Sequence, residues 1–131
     1  LFIVDGAHNP AGAQALAHTL QQHFSGRRMW LLMGVFADKD YRQIGEIMSN
    51  CSDCVFCFQP DHQRGLASDV LAAAMTPYFS AAVDAHTAER AVQQAMGQAK
   101  ADDVIVSFGS LSTIKTVRDA LTNRGVQHET N

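Results

Sequence analysis

The sequence has 131 residues, 47% of them apolar, and a formal net charge of −3. That is about one domain with enough apolar mass for a substantial core, which excludes a disordered chain. The mild acidity argues against nucleic acid as a main partner, and no apolar run reaches the ~18 residues of a membrane span.

No charged-then-apolar leader with a small-residue cleavage site is present. Three cysteines, an odd number, suit a reducing cytoplasm better than a secreted disulfide framework. The first residue is Leu rather than Met, and it enters a strand at once, so a piece of a longer protein is expected.

Five apolar runs alternate with five helical patterns, without internal repeat or low-complexity tract. Leu1–Asp5 reads as a buried strand. Behind it Ala13, Leu16, Ala17, Leu20 and Phe24 follow helical spacing, so a helix is expected over Pro10–Phe24, opened by Pro10 and ended by Ser25-Gly26. Met29–Gly34 is a second strand, apolar on both faces. The loop Val35–Asp40 leads to a helix with Tyr41, Ile44, Ile47 and Met48 on one side. Cys54–Phe58 is the third strand, followed by the polar loop Gln59–Gly65.

Ser68 is the expected cap of the next helix, with Val70, Leu71, Ala74 and Met75 inward. Pro77 closes that helix, and a weak fourth strand is expected at Ala81–Asp84. Thr87 caps a helix whose buried stripe is Ala88, Ala91, Val92, Ala95, Met96 and Ala99. Val104–Phe108 is the fifth strand. Gly109-Ser110 turns into a last helix carrying Ile114, Val117 and Leu121 and ending at Gly125, and residues 126–131 are expected to be a loose tail.

Strands apolar on both faces and alternating with helices imply a mostly parallel sheet covered on both sides, an α/β, Rossmann-like three-layer domain over residues 1–125. In a parallel sheet every strand-to-helix turn opens on the same edge, where ligands bind. Asp5–Asn9, Asp38–Asp40, Arg64 and Gly109-Ser110 are therefore expected along one rim.

Each of these groups also has an ordinary structural reading. Asp5 and His8 sit where an acid or imidazole can serve a helix N-terminus, and Gly6 and Asn9 suit a turn for conformational reasons. Asp38-Lys39-Asp40 reads equally as a solvated loop. Arg64 is either a surface arginine or a carboxylate clamp, since its guanidinium presents a two-pronged donor fork. Gly109-Ser110 offers N–H groups and a hydroxyl to an anion, and is also a common cap. The chain holds no P-loop and no G-x-G-x-x-G after a strand. Cys51-x-x-Cys54-x-x-Cys57 lacks a fourth cysteine, and Cys54 and Cys57 fall on opposite faces of a strand, so no metal is assigned to them. His18 and His23 do not share a helix face and receive no role.

The hexapeptide Asp5-Gly6-Ala7-His8-Asn9-Pro10 resembles the D-G-A-H-N-P signature of folylpolyglutamate synthases and dihydrofolate synthases, members of the Mur ligase superfamily. A G-x-x-x-D-K-D-like loop (Gly34 to Asp40), Arg64-Gly65 after the third strand and Gly109-Ser110 before the last helix align in the same order. The resemblance spans essentially the whole chain and is to the C-terminal domain alone. The family's N-terminal ATPase domain, which carries the P-loop, the magnesium ligands and the folate site, is not among these residues, so the chain alone is expected to be inactive. Gly6 favours the folate branch over the cell-wall ligases, which commonly carry Tyr there.

What the resemblance implies is an ATP-dependent ligase, a cytoplasmic monomer, that joins L-glutamate to a reduced folate through an acyl phosphate. Asp5 would accept hydrogen bonds from the ATP ribose, and His8 would be the catalytic group near phosphate and glutamate. Asn9, Lys39, Arg64 and Ser110 would bind glutamate. ATP and magnesium would be held mainly by the missing domain. A rival from another class, a receiver-like signalling module, requires an acidic pair beside Asp5, which is absent, and a phosphoacceptor after the third strand, where Asp61 is only nearby.

Overall fold

The computed structural model describes residues 1–125 and 129–130. Strands and helices alternate as β1 (Phe2–Val4), α1 (Pro10–His23), β2 (Met29–Met33), α2 (Tyr41–Met48), β3 (Cys54–Phe58), α3 (Ser68–Met75), β4 (Ala81–His86), α4 (Ala88–Gln98), β5 (Val104–Phe108), α5 (Thr113–Asn123) and β6 (Glu129–Thr130). The sheet is parallel throughout, in the order β4-β3-β2-β5-β1-β6.

Chain direction explains which face each helix covers. From β1 to β2, β3 and β4 the chain steps toward one edge, and right-handed crossovers put α1, α2 and α3 on one face. From β4 back to β5 and on to β6 it steps the other way, so the same handedness puts α4 and α5 on the opposite face. Side chains alternate accordingly. Met29, Leu31 and Met33, Val55 and Cys57, and Val104, Val106 and Phe108 pack with Leu16, Leu20, Ile44, Met48 and Leu71. Trp30, Leu32, Phe56, Phe58 and Ile105 pack with Ala91, Val92, Ala95, Val117 and Leu121 on the other side. Period-two alternation with both faces buried is why these strands read as unbroken apolar runs.

Several boundaries and phases differ from the sequence expectation. β4 continues to His86 through a register shift opposite Cys57 and Phe58. Ser68 is not the cap of α3: Ala67 holds that position without a side-chain bond, and Ser68 is the first, buried, helical residue. The inward stripe is thus Ser68, Leu71, Ala72 and Met75, which rotates Val70 outward to 46% exposure. Asn123 ends α5, with Gly125 following at φ 70°. Within the expected tail, Glu129–Thr130 pair with Ile3 and Val4 as a short edge strand, and 126–128 and 131 lie outside the described residues.

Candidate active-site rim

The chain reverses its direction of travel across the sheet at β5, which returns to lie between β2 and β1. A crevice opens at such a switch point because the flanking connections diverge to opposite faces. The carboxyl ends of β1, β2 and β5 meet there and are tied together. The Asp5 N–H donates to Ser107 O at 2.9 Å, the Gly34 N–H to Phe108 O at 3.2 Å, and the Gly109 N–H to Ala7 O at 2.8 Å. Gly109 sits at φ 120°, and a Cβ there would collide with the Gly34 carbonyl oxygen. Only glycine lets these turns approach so closely.

The first turn organises itself. Asp5 Oδ1 accepts from the Ala7 N–H at 2.7 Å, and its second oxygen has no hydrogen-bond partner among the described residues. His8 Nδ1 lies 2.9 Å from the Gly6 carbonyl oxygen. A carbonyl only accepts, so Nδ1 carries the proton, and in the neutral ring Nε2 is left as the acceptor. Asn9 Oδ1 accepts from the Gly12 N–H at 2.7 Å and is the N-cap of α1, followed by Pro10 in the first turn. The cap is thus Asn9, in extended backbone at φ −147°, and not Asp5 or His8, for which the sequence suggested that role.

Two further loops are zipped to each other. Phe36 bridges Gly65 in antiparallel sense, the Ala37 N–H donates to Arg64 O at 2.8 Å, and the Leu66 N–H to Val35 O at 2.9 Å. This pairing brings Arg64 to the loop that carries Asp38 and Lys39. The Arg64 guanidinium pairs with Asp38 and lies 4.8 Å from the centroid of the Phe36 ring, whose other stacking partner is His62 at 4.7 Å. The Arg64 guanidinium holds the Asp38 carboxyl below the usual carboxylate range. Asp40 Oδ1 accepts from the Gln43 N–H at 3.3 Å and caps α2.

Ser110 is 3% exposed. Its hydroxyl lies 2.8 Å from that of Ser112 and accepts from the Ser112 N–H at 3.1 Å. Leu111, 63% exposed, lies over Gly6, where a Cβ would collide with its side chain.

His8, Phe36, Lys39, Arg64 and the turn Gly109–Ser112 line one cavity of about 190 Å³. His8, Lys39, Arg64 and Ser110, expected at one site from the sequence, thus share a wall. Asp5 and Asn9 lie in the adjoining turn but do not line the cavity. Phe36 and Ser112 are lining residues that the sequence reading missed. An aromatic residue in a polar loop after Gly34 was the available signal for the first. Cavities that bury drug-sized ligands run from about 300 Å³ upward, so this one suits a small ligand with anionic groups, faced by Lys39, the Arg64 fork and hydroxyls. A larger cavity, about 550 Å³, lies further along the same edge at the ends of β3 and β4.

Cysteine chemistry is absent from the rim. Burial raises the Cys51 and Cys54 thiols and, with the Asp84 and Cys54 charges, pushes Cys57 up to about 12. Cys54 and Cys57 pack into opposite core layers. Among the described residues no three His, Cys, Asp or Glu side chains gather as a metal cage, and no helix is long and apolar enough to cross a membrane.

The model of the Mur ligase glutamate ligase domain matches residues 1–111. A probable bifunctional folylpolyglutamate synthase/dihydropteroate synthase of Halobacterium salinarum is 32% identical over 119 residues, which is 90% of this chain and 14% of that protein. A crystal structure of a bifunctional folylpolyglutamate synthase/dihydrofolate synthase from Yersinia pestis, with AMPPNP and Mn ion, superposes with a TM-score of 0.82 at 31% identity, covering 93% of this chain and 28% of that one. Another structure of such a bifunctional synthase, with Mn, AMPPNP and L-glutamate bound, gives 0.78 at 30% identity, covering 89% and 28%. The chain therefore spans less than a third of each of these relatives. It belongs to the Mur ligase family, as the C-terminal, glutamate ligase domain of the folylpolyglutamate synthase/dihydrofolate synthase type.

Proposed function

We propose that the chain is the glutamate-binding, ATP-capping part of an ATP-dependent folate:L-glutamate ligase of the cytoplasm. The observation that carries the reading is the sharing of one small cavity by His8, Lys39, Arg64 and Ser110 at the carboxyl ends of the strands.

The chemistry asks for these groups. ATP phosphorylates a folate carboxylate, and the glutamate amine attacks the acyl carbon of that acyl phosphate. The bond from acyl carbon to phosphate oxygen then breaks, and phosphate leaves with the electron pair. Glutamate brings two carboxylates toward a phosphorylated anion, and unopposed like charges at such distances are costly. Lys39 and Arg64 would hold those carboxylates, with Ser110 adding a hydroxyl or backbone contact and fixing the orientation of attack. The ammonium must lose a proton before it can attack, and His8, with Nδ1 donating to Gly6 O, has Nε2 to take it. The second oxygen of Asp5 is an acceptor suited to ribose hydroxyls. Asn9, whose carbonyl oxygen is committed to the α1 cap, would reach the amino acid only through its amide N–H₂. Magnesium would be held chiefly by the missing N-terminal ATPase domain, together with most contacts to ATP and the reduced folate, so the chain alone would not turn over.

The test is to join this chain to the P-loop-bearing half of a folylpolyglutamate synthase, by fusion or in trans. Recovery of glutamate addition is expected, with loss on His8→Ala; a folded chimera with no activity would overturn the reading.

A further inference from the structure

Arg64 is held with more care than a surface arginine requires. Both of its backbone groups are taken: its carbonyl accepts from the Ala37 N–H at 2.8 Å, and its own N–H donates to His62 Nδ1 at 3.0 Å. A backbone N–H can only donate, so Nδ1 is the bare nitrogen of that ring. The loop around His62 is closed as well. The His62 N–H reaches Pro60 O at 2.9 Å and the Gly65 N–H reaches His62 O at 3.0 Å, and a Cβ on Gly65 would lie 2.6 Å from the Pro60 carbonyl oxygen.

The side chain has fewer ties. It is 53% exposed, and its one hydrogen bond among the described residues runs to Asp38, itself 56% exposed. An ion pair between two exposed, flexible side chains is weak, because rotamer entropy and solvent both oppose it. Phe36 supplies a second constraint. Its ring is half-buried, with the guanidinium carbon over it at 4.8 Å from the centroid. His62 stacks on the same ring, at 4.7 Å and 28° between planes. The side chain that accepts from the Arg64 backbone therefore also packs on the ring that faces the Arg64 charge. Asp38 holds one nitrogen of the guanidinium, and the ring draws the cation to a fixed surface.

We propose that Phe36 and His62 are positioning residues, a stacked pair that holds the Arg64 guanidinium at the wall of the glutamate cavity. The inference rests on the reading of Arg64 as a ligand of a glutamate carboxylate. Phe36 lines that cavity and His62 does not, so His62 acts only through the other two.

The experiment has two arms. In the chain itself, the Arg64 Nε–H resonance and its NMR order parameter report how firmly the side chain is held. Phe36→Leu should move that resonance and lower its order, whereas Phe36→Tyr should preserve both. His62→Ala, at an exposed position, should also loosen it. His62→Asn should recover part of the loss, since an Asn oxygen can accept the N–H two residues on. In the reconstituted ligase, Phe36→Leu should raise KM for glutamate about two- to fivefold, with kcat and KM for ATP held. That rise should vanish in an Arg64→Ala background, because the ring acts through the arginine.

The proposal is overturned if the Arg64 resonance ignores both Phe36→Leu and His62→Ala, or if Tyr at position 36 fares no better than Leu. It is equally overturned if Phe36→Leu raises KM for glutamate alike with and without Arg64, or leaves it unchanged where Arg64→Ala raises it. A normal glutamate KM in Arg64→Ala would instead sink the glutamate reading of Arg64, and the resonance alone would then decide whether the pair positions it.

Discussion

Gly109 is the tightest point of the rim, and replacing it by alanine tests how the cavity is built. Two costs combine there. The backbone lies at φ 120°, a region that L side chains avoid, and the new methyl would meet the Gly34 carbonyl oxygen, with Val35 Cγ1 at 2.9 Å. Two other glycines separate these costs. Gly26 has φ 83° and nothing within 4 Å of a built Cβ, and Gly97, within α4, also has open space around it.

Gly26→Ala should therefore show the backbone cost alone, about 1–2 kcal/mol. Gly97→Ala should be neutral to stabilising, by up to about 1 kcal/mol, through helix propensity and a less flexible unfolded chain. Gly109→Ala should cost about 3 kcal/mol or more, because the colliding atom is the backbone carbonyl of Gly34, just past the end of β2, and cannot swing aside as a side chain would. Urea unfolding followed by the single Trp30 gives all three values from midpoints at a common slope. Should Gly109→Ala cost no more than Gly26→Ala, the close approach of the β2 and β5 turns would be wrong, and the cavity they frame with it.

In a reconstituted ligase, Arg64→Ala should raise KM for glutamate by about tenfold or more while KM for ATP moves little, and the opposite pattern would reassign Arg64 to the nucleotide. Because Arg64 holds the folded Asp38 pKa below its unfolded value, the pairing is present above the ordinary carboxylate pKa and lost as pH falls through the lower folded one. A carbon-13 titration should accordingly find the Asp38 midpoint below about 3.9, returning upward in Arg64→Ala; a midpoint that ignores the arginine would mean the pair does not persist in solution. Cys57, with its thiol near 12, should react with a disulfide reagent at pH 8 at least about a hundredfold more slowly than a free thiol until the protein unfolds, and rapid native labelling would contradict its burial.

Much of the architecture is legible because it is encoded locally. Met29–Met33 and Val104–Phe108 are apolar at every position but Ser107, which only a strand buried on both faces requires, and Pro10 behind Asn9 marks the opening of α1. The phase of α3 misled the reading for a physical reason. Ser68 looks like a cap, but the chain turns one residue earlier at Ala67, and Ser68 becomes the first, buried, residue of the helix. Strand order was never legible, since β5 enters between β1 and β2 through pairings about 75 to 100 residues apart in the chain.

The same division runs through the rim. That His8, Lys39, Arg64 and Ser110 share an edge follows from parallel strands alone, because each lies in or next to a strand-to-helix connection. Which of them touch does not follow. Arg64 meets Asp38 across 26 positions of sequence only because the loops after β2 and β3 pair through Phe36 and Gly65, and no spacing rule announces that contact. An arginine already neutralised by a neighbouring carboxylate is not an idle clamp. If Arg64 holds a substrate carboxylate, that carboxylate competes with Asp38 for the charge and the Nη2 donors, and the Asp38–Arg64 pair would then set a threshold on how weak an anion the cavity can hold. Removing that competitor with Asp38→Asn should lower KM for glutamate severalfold if Arg64 is the glutamate ligand. The same substitution should leave KM for ATP unchanged. A higher glutamate KM in Asp38→Asn would instead mean that Asp38 orients Arg64 for the substrate, and the threshold would not exist.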